Sequence, residues 1–68
     1  MTKWFKFSAY NTAPMYGYGT KAEASEYQDF LNRDRQINHY AITPVKDETA
    51  INGIEFNLSD ELIAARDQ

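Results

Sequence analysis

The side chains that usually move protons, hold metals or attack carbon are scarce in this chain. Of its 68 residues one is histidine, His39, and none is cysteine. Without cysteine there is neither a thiolate nucleophile nor a thiolate metal site. Ser8, Ser25 and Ser59 stand in no nucleophile signature. A lone histidine on a predicted strand reads as a packing or surface residue. Asp47-Glu48 and Asp60-Glu61 are adjacent acids at a turn and at a helix start, where structure alone places acids. Gly17-Tyr18-Gly19 before a helix is a fragment of a phosphate-cradling loop, but Glu23 already brings negative charge to that helix's first turn. These patterns predict a protein that is not an enzyme, with no metal and no cofactor.

Binding chemistry is better represented. Ten acids against seven bases give a net charge of −3. Residues 1–46 carry six of the bases and four of the acids; residues 47–68 carry six acids and one base. Acidity is thus concentrated in the last third, which favours a basic protein surface as partner and disfavours direct contact with nucleic acid. Glu48, Glu55, Asp60 and Glu61 are the candidate contacts. Two other segments compete with them. Lys3-Trp4-Phe5-Lys6-Phe7 interleaves bases with aromatics, as platforms for single-stranded nucleic acid do. Met15, Tyr16 and Tyr18 sit on a Gly- and Pro-containing stretch, and tyrosine is a frequent anchor of binding surfaces.

The elements that must position these residues follow from periodicity. Lys3–Tyr10 alternates as a strand, with Phe5, Phe7 and Ala9 on one face and Trp4, Lys6, Ser8 and Tyr10 on the other. Asn11–Gly19, broken by Pro14 and two glycines, reads as a loop, placing Tyr16 and Tyr18 either in an interface or in a cap over the core. Thr20 and Glu23 form a capping-box pattern ahead of a helix over Lys21–Arg33. Its Ala24, Tyr27, Phe30 and Leu31 share one arc and should face a sheet, and Asp29 and Arg33 are spaced for an ion pair. Ile37–Val45 reads as a second strand ended by Pro44, and Ile51–Leu58 as a third. Asn52-Gly53 is either a tight hairpin turn or a bulge, and a bulge leaves Ile37–Val45 a better partner. Ser59 is the expected cap of a short helix over Asp60–Arg66, with Leu58 and Ile63 as a hydrophobic staple.

The order β-α-β-β-α predicts a small α+β domain, 1–68, with a three-stranded antiparallel sheet packed by one or two helices. Apolar residues make up 43% of the chain and ten residues are aromatic, which suits a compact core rather than disorder. The longest apolar run is Leu62–Ala65, too short for a membrane span.

In size, acidity and lack of cysteine or motif, the whole chain, notably YNTAPMYGYG at 10–19 and KAEASEYQDFLNRDRQINHYAI at 21–42, resembles the small acidic phage-encoded anti-CRISPR proteins. That resemblance implies a stoichiometric inhibitor in the bacterial cytoplasm; the chain itself is expected to be a monomer or weak dimer. It implies an acidic surface that mimics DNA, fills the basic channel of a type I CRISPR effector complex (Cascade) and keeps target DNA out. The net positive balance of residues 1–46 departs from a uniformly DNA-like surface.

Overall fold

The computed structural model describes residues 1–33 and 39–67. Its elements are β1 (Lys3–Ser8), β2 (Met15–Gly19), α1 (Lys21–Asn32), β3 (Ala41–Pro44), β4 (Ile54–Asn57) and α2 (Leu58–Arg66), with a 3₁₀ turn at Glu48–Ala50. The small α+β class holds. Among the described residues the sheet, however, has four strands in the order β3-β1-β2-β4, not three. It is also mixed: β1 runs antiparallel to β2 and β3, while β2 and β4 are parallel. β3 and β4 therefore run in the same direction at opposite edges.

The extra strand is β2, in the stretch that composition marks as a loop. Its glycines serve close packing instead of turning the chain. A Cβ on Gly17 would stand 2.8 Å from Leu58 Cδ2, and one on Gly19 would stand 2.9 Å from Leu58 Cβ. Only glycine lets α2 lie this close to the sheet. The turn that joins β1 to β2 uses Asn11 at φ 62°, in the left-handed region that asparagine tolerates.

α1 begins as its sequence predicts. Thr20 Oγ1 accepts from the Glu23 amide at 3.1 Å, and Glu23 Oε1 accepts from the Thr20 amide at 2.9 Å. Ala24 and Tyr27 are buried, and Phe30 and Leu31 pack against them. The expected Asp29–Arg33 pair is replaced by other contacts. Arg33 lies over the Phe30 ring, 5.6 Å from its centroid, while Glu26 meets Arg66 of α2 at 2.7 Å.

The remaining boundaries shift. β3 covers Ala41–Pro44, and residues 37 and 38 of the expected strand lie outside the described residues. Asn52-Gly53 is neither a hairpin turn nor a bulge within a strand. Gly53, at φ 148°, forms a bend just before β4. The cap of α2 is Asn57, whose Oδ1 accepts from the Asp60 amide at 3.2 Å, and not Ser59. Burial decides this. Leu58 is fully enclosed as the first helical residue and Leu62 follows one turn later, whereas Ile63 is 53% exposed and forms no staple.

Phe5, Phe7, Ala24, Tyr27, Leu58 and Leu62 make the core between the sheet and the two helices. Tyr27 is its hub, edge-on to Phe7 at 5.5 Å and tilted against Phe56 at 5.1 Å. Such ring pairs add about 0.5–1.5 kcal/mol each beyond area burial.

Candidate binding face

Alternation along β1 and β2 divides their aromatics between two faces. Phe5 and Phe7 point into the core, as do the positions of Gly17 and Gly19. Trp4, Lys6, Tyr16 and Tyr18 therefore belong to the opposite face. The register places Trp4 opposite Tyr18 and Lys6 opposite Tyr16. The Trp4 and Tyr18 rings meet at 5.2 Å between centroids, tilted by 56°. The Thr2 hydroxyl donates to the Tyr18 hydroxyl at 2.9 Å, which fixes the outer end of that ring.

The two tyrosines singled out in the sequence thus separate. Tyr16 is only 6% exposed and lies outside the main core cluster. A Cβ on Gly53 would stand 3.5 Å from its ring, so the bend before β4 closes over it. Tyr16 is a packing residue. Tyr18, 37% exposed, remains available. The Lys3–Phe7 run divides in the same way, since Phe5 and Phe7 are consumed by the core and Lys3 Nζ sits 5.5 Å from the Phe5 ring centroid.

The candidate acids are all exposed and come from three different elements. Glu55 pairs in register with Tyr16 and occupies the face away from the helices. Asp60 and Glu61 belong to the first turn of α2, in the helical layer. Glu48 lies in the 3₁₀ turn between β3 and β4. Glu61 also acts on the core: burial, and then the charges of Glu61 and Tyr40, raise the Tyr27 hydroxyl above its ordinary pKa. Asp47 is held below the usual carboxylate value by the Thr49 hydroxyl and amide, which donate to it at 2.7 and 3.0 Å.

Among the described residues, no group of three or more His, Asp or Glu is placed to hold a metal ion. Nor is any helix among them long and apolar enough to cross a membrane. The arrangement supplies ring area, one lysine and a carboxylate along a strand row, which suits recognition.

The Trp4–Tyr18 pair escapes sequence reasoning because 11–19 reads as a loop. One signal was present: Met15, Gly17 and Gly19 alternate with Tyr16 and Tyr18, the pattern of a strand with small residues inward. No protein-family model matches the chain, and no curated protein sequence does.

Proposed function

We propose that this chain is a non-enzymatic interaction protein that engages a protein partner through the Trp4–Tyr18 pair, with Lys6 and Glu55 on the same face setting the register of the contact. The supporting observation is the ring pair itself, 5.2 Å between centroids and tethered through Thr2. Aromatics held in place before binding lose little entropy on binding, which is why tryptophan and tyrosine dominate binding hot spots. The test is capture of partners from a host lysate with the wild-type chain, Trp4→Ala and Tyr18→Ala. Both variants should lose the captured protein while keeping wild-type circular dichroism. Retention by both variants defeats the reading. Trp4 fluorescence quenched by a single-stranded oligonucleotide would instead point to base stacking.

A second reading is charge mimicry of DNA against the basic channel of a type I CRISPR effector complex, in a bacterial host's cytoplasm. It is favoured by the exposure of Glu48, Glu55, Asp60 and Glu61. It stands second because the four acids come from separate elements, the 3₁₀ turn, β4 and α2, whereas the two rings are in contact. Under mimicry, Glu48→Lys, Glu55→Lys and the Asp60→Lys/Glu61→Lys double variant slow association, and binding weakens steeply with salt.

A further inference from the structure

β3 is an edge strand, and among the described residues no strand pairs with its outer side. Most of that edge is already occupied. The Val45 amide donates to the Trp4 carbonyl at 3.0 Å, so with Lys6 opposite Thr43 the groups of Thr43 and Val45 turn toward β1. The N–H and C=O of Ile42 must then point outward. One step earlier, the outward groups of Tyr40 are held by α1: its amide donates to Asn32 Oδ1 at 2.7 Å, and its carbonyl accepts from Gln28 Nε2 at 2.8 Å. One step later stands Pro44, which has no N–H to offer. Ile42 is then the residue of this edge that offers both a donor and an acceptor, and Pro44 adds a carbonyl alone.

A groove of about 360 Å³ lies beside that opening, between β3 and α1. Phe5, Ala24, Ile42 and Pro44 make it apolar. Lys21, Ser25 and Gln28, spaced four and three apart on one helical face, give it a polar rim with a cation near the Pro44 end. Edge strand, apolar pocket and cation are the three parts needed to capture a chain end by strand addition.

We propose that this groove binds the C-terminal residues of an extended peptide, which adds to β3 in parallel. Its backbone exchanges hydrogen bonds with the Ile42 N–H and C=O, its last apolar side chain fills the pocket, and its terminal carboxylate meets the Lys21 ammonium. The ladder loses its next donor at Pro44, which has no N–H, and the occupant ends there. This site lies on the edge and helix side of the sheet and does not depend on the Trp4–Tyr18 reading.

The experiment is an array of hexapeptides with free C-termini, followed by titration of the best binder against ¹⁵N-labelled protein. Binding should favour an apolar last residue and shift the amides of Lys21, Ser25 and Ile42. Amidating the peptide terminus, or Lys21→Ala, should weaken binding about two- to fivefold, as loss of an exposed ion pair does. Ile42→Pro removes the outward N–H at an edge position where proline is tolerated, and should weaken binding more than Ile42→Ala, which trims the groove wall but keeps the N–H. An array without binders, equal affinity for the amidated peptide, or shifts confined to the Trp4–Tyr18 face would each overturn the proposal. So would N-acetyl-leucine binding as tightly as the hexapeptide, since strand addition would then contribute nothing.

Discussion

Gly17 lies directly beneath Leu58. A Cβ on Gly17 would stand 2.8 Å from Leu58 Cδ2 and 2.9 Å from Phe56 Cε2, closer than real Cβ contacts come. The missing side chain of one residue is the space into which the other packs. Gly17→Ala should therefore destabilise by about 1–3 kcal/mol through overpacking. Leu58→Ala should cost about 2–5 kcal/mol through a cavity. The double variant should lose less than the sum, because the added methyl partly fills the vacated space. Urea melts of the four proteins measure this coupling; strict additivity would separate the two sites.

Thr20→Ala removes the acceptor for the Glu23 amide at the start of α1. A loss of about 0.5–2 kcal/mol is expected, with Thr20→Asn nearly neutral. Guanidinium melts with unchanged midpoints for Thr20→Ala would contradict the cap's contribution.

Tyr27 makes stability sensitive to alkaline pH. Burial, reinforced by Glu61, raises its hydroxyl above the ordinary value of 10.0. Between the ordinary and the raised pKa, the unfolded chain releases a proton that the folded chain keeps. Stability should thus be full below about pH 10 and fall as pH rises toward the folded pKa. Tyr27→Phe should remove that part of the alkaline slope, read as the difference between the two proteins' melting temperatures across pH. Identical slopes would mean that Tyr27 is not the responsible group.

The Glu26–Arg66 pair joins the two helices, but its side chains are 50% and 63% exposed. In denaturant melts Arg66→Ala should lower the midpoint only slightly, and the difference should disappear in high salt.

Legibility followed the range of the interactions. The capping box and inward arc of α1 depend on residues three or four apart, and both were readable in the sequence. β2 left only the alternation of Met15, Gly17 and Gly19 with Tyr16 and Tyr18, because what its glycines serve is Leu58, some forty residues away. The α2 cap moved from Ser59 to Asn57 for a similar reason, since the burial of Leu58 sets where the helix begins. At the binding face, Tyr16 and Tyr18 were recognisable as unusual residues. Their opposite roles depend on the bend at Gly53 and on the cross-strand position of Trp4, neither of which leaves a local pattern.

The parallel pairing of β2 with β4 has a consequence for how the chain is made. β1, β2 and α1 come from contiguous residues and can associate as soon as they leave the ribosome. β2's second partner and its helical cover, Ile54–Arg66, follow tens of residues later. That pairing closes a long loop, which is slower than forming a hairpin between neighbouring strands. Until it closes, β2 presents a bare strand edge beside a glycine-floored trough. The order of the chain thus leaves this edge to be covered last, and Ile54–Arg66 is what keeps a neighbouring molecule from pairing with it.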